Sequence, residues 1–209
     1  MTQDLRIDTV VFDLGGVLID WNPRHLYRKL FGSDVEGMER FLEDVCSPAW
    51  NERQDAGRSW EDAAEEAIAL HPDKSDLIKA YRARWEEMLG GPMLETVDIL
   101  EELRANDVRL LALTNWSQET FPIALERYPF LKWFEGILVS GIEKMVKPDP
   151  GIYQLLISRF DVDPTRSVFI DDNLRNVEAS IRSGLPAFQF IRAQELRRDL
   201  LSLGLPIHP

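Results

Sequence analysis

The feature that most constrains this chain is a series of short apolar runs, each ending in polar residues, that alternate with amphipathic helical stretches. The runs are 108–115 (VRLLALTN), 136–141 (GILVSG), 167–173 (SVFIDDN) and 186–191 (PAFQFI). Helical spacing of apolar residues marks 117–127, 149–160, 174–183 and 193–203 between and after them. Apolar strands alternating with helices predict βαβ units around a parallel sheet buried on both faces. A further run of the same kind, 7–13 (IDTVVFD), stands far upstream. The expected fold class is therefore α/β.

The segment 23–91 has another texture. It holds no comparable Val/Ile run, and its apolar residues fall at helical spacing, as in Trp60, Ala63, Ala64, Ala67 and Ile68. Ser59 before Glu61 and Asp62 reads as a helix start, and Asp55-Ala56-Gly57 reads as a turn. Gly90-Gly91-Pro92 permits a bend and stops a helix, so it marks a boundary. The expected organisation is an α/β core formed by 1–20 and 92–209, interrupted by an all-helical unit at 21–91.

Composition narrows the function. Thirty-six acidic residues against 24 Lys and Arg give a formal charge of −12, which opposes binding to nucleic acid or to anionic membranes. No stretch is long and apolar enough for a transmembrane helix. The first ten residues are charged and lack the apolar middle of a signal peptide, so a cytoplasmic protein is expected. With one cysteine, Cys46, and three histidines, neither an internal disulfide nor a Cys/His zinc site is expected. A hard metal held by carboxylate oxygens remains open.

Ligands of open parallel sheets bind at the carboxyl ends of the strands, so the residues that end each run carry the argument. The first run ends in Asp13, followed by Gly15-Gly16; the second ends in Thr114-Asn115; the third leads to Lys147-Pro148; the fourth ends in Asp171-Asp172-Asn173. An Asp at a strand end is often only the N-cap of the next helix, and Lys144 competes with Lys147. Adjacent carboxylates repel unless a cation lies between them, however, and Mg²⁺ accounts for Asp171 and Asp172 together. Such a set suits phosphoryl transfer. An Asp nucleophile divides one hard step into two, a cation and an ammonium offset the charge, and Thr114, Asn115 and the Gly15-Gly16 amides donate hydrogen bonds to phosphate.

These residues resemble the haloacid dehalogenase-like superfamily over nearly the whole chain. The resemblance is carried in order by VVFDLGGVL (10–18), LLALTN (110–115), MVKPDPGIY (145–153) and VFIDDNLRNVEAS (168–180). It implies a Rossmann-like doubly wound sheet with a small helical cap. Pairing of DLGGVL with IDDNLRN is most similar to the bacterial sugar-phosphatase branch and to the phosphatase half of soluble epoxide hydrolases. By resemblance, Asp13 is the nucleophile and a Mg²⁺ ligand, the Gly15 carbonyl a second ligand and Asp172 a third, with Asp171 acting on the metal through water or from behind these ligands. Thr114 and Asn115 would hold the phosphate, and Lys147 would neutralise it and orient Asp13. Asn176 stands where many relatives carry an acidic residue.

Gly15 departs from the pattern. Most phosphatases of the superfamily carry there a second Asp that protonates the leaving oxygen and then activates water, help worth about 10² to 10⁴ in rate. Three expectations follow. The leaving group needs little protonation, as in a sugar 1-phosphate; or another group substitutes, Asp20 and His25 being nearest in sequence; or the protein binds phosphorylated ligands without turning them over. A 2-haloacid dehalogenase is a weaker alternative, because such enzymes work without metal and replace the acidic pair.

Four of six tryptophans (Trp21, Trp50, Trp60, Trp85) lie in or beside the insert. Trp60 and Trp85 read as its core, whereas Trp21 and Trp116 are expected to face the cleft and stack on substrate. Arg24, Trp50, Asn51 and Arg53 are further candidates. The expected partner is a small phosphorylated metabolite, and nothing in the pattern marks an oligomer interface.

Overall fold

The computed structural model describes residues 6–209; residues 1–5, which begin the stretch compared with a signal peptide, lie outside the described residues. A parallel five-stranded sheet has the order β5-β4-β1-β6-β7, formed by β1 (Thr9–Phe12), β4 (Arg109–Thr114), β5 (Gly136–Val139), β6 (Ser167–Asp171) and β7 (Ala187–Gln189). Strand alternation sends Val10 and Phe12 into one apolar layer and Val11 into the other, with the neighbours Leu110 and Leu111 divided the same way. Both faces are thus covered, which is why these runs carry no polar face.

On one side of β1 the chain proceeds outward through β4 to β5; it then crosses to β6 and β7 on the other side. β1 pairs with both β4 and β6, so Phe12 is in register with Ala112 and Ile170. This reversal of winding opens a crevice beyond the carboxyl ends of the three central strands. Helices α6 (Leu94–Ala105), α7 (Phe121–Arg127), α9 (Pro150–Arg159), α10 (Leu174–Arg182) and α11 (Ala193–Ser202) accompany the sheet. The run 136–141 leaves the strand at Val139 and turns into a short α8 (Ser140–Glu143).

Between β1 and α6 lie α1 (Arg24–Phe31), α2 (Val35–Asp44), α3 (Pro48–Asp55), α4 (Trp60–Leu70) and α5 (Ser75–Ala83). Aromatic side chains supply much of their shared interior. Tyr81 meets Trp60 in a stacked pair at 5.3 Å and Trp50 edge-on at 5.1 Å, while Tyr27 lies 5.0 Å from Phe41. Cys46 is buried in the same interior, which pushes its thiol up to about 12 and leaves it unreactive.

The segment read as a plain break at Gly90-Gly91-Pro92 is a strand. β3 (Leu89–Pro92) pairs antiparallel with β2 (Ile19–Trp21), with an irregularity between Asp20 and Trp21. Gly91, at φ +129°, adopts a backbone conformation that residues bearing a Cβ rarely reach. The ribbon joins the chain entering the helices to the chain leaving them.

Candidate active site

Asp13 follows β1 directly. Its Oδ1 accepts from Leu14 N–H at 2.7 Å and its Oδ2 lies 2.8 Å from Lys147 Nζ. Burial pushes the carboxyl up to about 8; Asp171 and Asp172 add to the rise and Lys147 opposes it. Gly16, at φ +75°, lets the next turn pass close to Asp172, whose Oδ2 would stand 2.5 Å from any Cβ added there. Gly15 has no such neighbour, and a Cβ at that position meets nothing within 4 Å. The Gly16 N–H is taken by Ile19 O at 2.9 Å, whereas the Gly15 N–H has no acceptor among the described residues.

Lys147 is wholly buried, and all three ammonium protons are directed: to Leu113 O at 3.0 Å, to Asp171 Oδ2 at 2.7 Å and to Asp13. Burial alone would lower its pKa, but the two carboxylates hold it above its ordinary value. Asn115, at the end of β4, places this lysine: its Oδ1 accepts from Lys147 N–H at 2.8 Å and its Nδ2 donates to Lys147 O at 3.0 Å. One amide proton of Asn115 therefore remains for a ligand. Thr114 is buried as the last residue of β4. Lys144, the rival in sequence, sits at φ 57° after α8 and packs against Gly57.

The paired aspartates divide their work. Asp171 Oδ1 accepts from Asn173 N–H at 2.8 Å and from Asn176 Nδ2 at 3.0 Å, and its Oδ2 accepts from Lys147. Asn176 thus anchors Asp171 by hydrogen bonding and needs no charge. Neither aspartate is the cap of α10; that is Asn173, whose side chain accepts from Arg175 N–H. Asp172 is exposed, its pKa raised by partial burial and by Asp171. Asp13, Asp171 and Asp172 each offer a carboxylate oxygen within 4.8 Å of the others. An all-oxygen donor set bearing more negative than positive charge fits a hard divalent cation such as Mg²⁺.

Above this cluster is a cavity of about 50 Å³, bounded by Gly15, Asn115 and Trp116 of the core and by Asn51, Asp55 and Trp60 of the insert. Trp21 and Trp85 line it as well, so Trp85 and Trp60 serve the cleft wall in addition to the insert's interior. Of the other candidates, Arg24 is ion-paired with Glu39, Arg53 with Glu66, and the Trp50 indole donates to Ala63 O at 3.3 Å. Asp20 and His25 pair with each other at 2.9 Å and do not line the cavity. Asp55, read from sequence only as part of a turn, is the carboxyl that does.

The family model for haloacid dehalogenase-like hydrolases matches residues 7–184. The chain belongs to that family. Among the relatives of this haloacid dehalogenase-like hydrolase is the sesquiterpene phosphatase astK of Aspergillus oryzae, 25% identical over 181 residues, covering 84% of this chain and 85% of the relative. The phosphorylated carbohydrates phosphatase of Thermotoga maritima is 24% identical over 183 residues, covering 86% and 82%. The fold matches the HAD family enzyme BT-2542 of Bacteroides thetaiotaomicron with TM-score 0.70 at 21% identity, covering 94% of this chain and 98% of that one. The same enzyme in complex with magnesium and inorganic phosphate matches with TM-score 0.65 at 22% identity, covering 88% and 93%. Among the described residues of this hydrolase, no helix is long and apolar enough to cross a membrane.

Proposed function

We propose that this hydrolase is a Mg²⁺-dependent phosphatase that cleaves a small phosphomonoester, a sugar phosphate, through an aspartyl-phosphate on Asp13. The observation that carries the reading is the Asp13 carboxylate at a strand end, 2.8 Å from the buried Lys147 ammonium and grouped with Asp171 and Asp172. Phosphatases among the relatives, one of them acting on phosphorylated carbohydrates, point the same way.

In this reading Asp13, Asp172 and the Gly15 carbonyl hold Mg²⁺, and Asp171, its oxygens already engaged, acts from behind them. The metal would supply charge neutralisation for the incoming phosphate dianion. An Asp13 oxygen attacks phosphorus. Lys147 favours the ionised form of that carboxylate and orients it, and the Gly15 amide and the spare Asn115 proton donate to phosphate oxygens. Helices of the insert act as a cap that excludes water during transfer. The cavity of about 50 Å³ has room for a few water molecules, so a sugar would need the insert to move aside, with the β2–β3 ribbon as the joint.

The test is hydrolysis of a panel of phosphate esters with Mg²⁺ and with chelator. Metal-dependent phosphate release abolished by Asp13→Asn supports the proposal. Ligand binding without turnover would favour a regulatory phosphoryl-binding protein, and halide release from 2-haloacids that persists in chelator would favour dehalogenation.

A further inference from the structure

A carboxyl-bearing residue of the insert lines the same cavity as Gly15. Asp55 ends α3 and shares the wall of the cleft cavity with Gly15 and Asn115. Its position is fixed from the core. Ser140 Oγ donates to the Asp55 carbonyl at 2.6 Å, and Asn51 Nδ2 donates to its Oδ2 at 2.9 Å. Next to it, Trp60 N–H donates to Glu119 Oε1 and Trp60 Nε1–H to Ser117 Oγ, both at 3.0 Å. Gly57, at φ +97°, brings the same turn against α8, where an added Cβ would stand 3.1 Å from Gly141 O. Ser117, Glu119 and Ser140 belong to the segments that follow β4 and β5, so the carboxyl is registered to the strand ends that carry the site.

We infer that Asp55 is the general acid and base of this hydrolase, doing from the insert what a carboxylate at position 15 would do from the core. The inference rests on the phosphatase reading above. A second observation points to a ligand in the same space: Trp116 is buried, lines the cavity, and its indole N–H has no hydrogen-bond partner. A buried donor left unpaired is costly, and opening of the cleft would free it to pair with an oxygen of the leaving group.

The environment suits the task. Burial pushes Asp55 up to about 7, Glu52 adds to the rise, and the Ser117 N–H and Lys147 oppose it. A group near neutrality can both give and take a proton. The charged and titratable groups around it are Glu52 on its own helix, Lys147, the Tyr81 phenol of α5, whose pKa is raised, and Lys144, which packs on Gly57.

The chemistry balances. As an Asp13 oxygen bonds to phosphorus, the bond from phosphorus to the leaving oxygen breaks, and that oxygen takes the Asp55 proton to depart as an alcohol. Asp55, now a carboxylate, removes a proton from water; the hydroxide bonds to phosphorus and the bond to Asp13 breaks. Inorganic phosphate leaves and both aspartates are restored.

The experiment compares Asp55→Asn with wild type on glycerol phosphate, whose alkoxide must be protonated, and on dinitrophenyl phosphate, whose leaving group departs unprotonated. We expect kcat/KM on glycerol phosphate to fall by about 10² to 10⁴, the dinitrophenyl ester to lose less than about tenfold, and Asp55→Glu to recover part of the loss. The decline of wild-type kcat/KM above about pH 7 on glycerol phosphate should vanish in Asp55→Asn. Equal losses on both esters, or none on either, would overturn the assignment while leaving the phosphatase reading intact. No chelator-sensitive turnover of any ester by wild type would overturn both.

Discussion

The ammonium of Lys147 stands 2.7 Å from Asp171 Oδ2, and neither side chain reaches solvent. With Asp13 on its other side, this one cation offsets two buried carboxylates. Lys147→Met should therefore destabilise the metal-free protein by about 3–5 kcal/mol, because it strands charge in the interior. Urea denaturation would measure the loss. Lys147→Arg should not restore activity, since a planar guanidinium cannot meet three acceptors arranged around a point charge in a filled site.

Asp13 makes stability depend on pH with a definite sign. Its carboxyl titrates near 3.8 when unfolded and at about 8 in the metal-free fold. Between those values the folded protein retains a proton that the unfolded chain has lost, so this group's contribution to stability falls as pH rises. Asp13→Asn should melt progressively higher than metal-free wild type as pH climbs through this window, the gap being complete above pH about 8. No widening of the gap across the window would contradict the assignment.

Magnesium should replace that proton. Adding it at neutral pH is expected to raise the melting temperature of wild type, and chelator to reverse the effect. Asp172→Asn should lose most of the shift while its metal-free melting stays close to wild type, since Asp172 is exposed. Thermal scans with Mg²⁺ and with chelator decide this.

Gly57→Ala tests the seating of the insert. The substitution forces a Cβ onto a backbone at φ +97° and against Gly141 O, at a cost of about 1–3 kcal/mol. Turnover of glycerol phosphate should fall because Asp55 shifts, while the Mg²⁺-dependent rise in melting temperature persists. An unchanged rate with the expected loss of stability would show that the turn does not govern Asp55.

A Cβ added at position 15 meets nothing within 4 Å, so Gly15→Asp should fold. Placed on Asp55→Asn, it should recover glycerol phosphate hydrolysis measurably. No recovery in a stable double variant would show that a carboxyl in this gap cannot reach the leaving oxygen.

Much of the site is legible in the chain because it is local. Asp13, Asn115, Lys147 and the Asp171-Asp172 pair are each marked by the apolar run before them, and a buried parallel sheet brings such strand ends to one edge. That logic also singles out Lys147 over Lys144 only once the fold is in hand, because both follow the same run. The ribbon at β2 and β3 was hidden: Gly90-Gly91-Pro92 has the composition of a break, and only pairing with Ile19–Trp21 makes it a strand.

The sequence by itself determined the α/β class, the order of the strand ends and the acidic cluster, since two-residue and 3.6-residue periodicities are properties of neighbouring positions. Tertiary structure alone decided which carboxyl shares the cavity with Gly15. Asp55 reads as an ordinary helix end and turn until Ser140, 85 positions away, holds its carbonyl. Nearness in sequence pointed to Asp20 and His25, yet these pair with each other away from the cavity. A contact between an insert and a core is set by how their surfaces pack, and no local pattern encodes it.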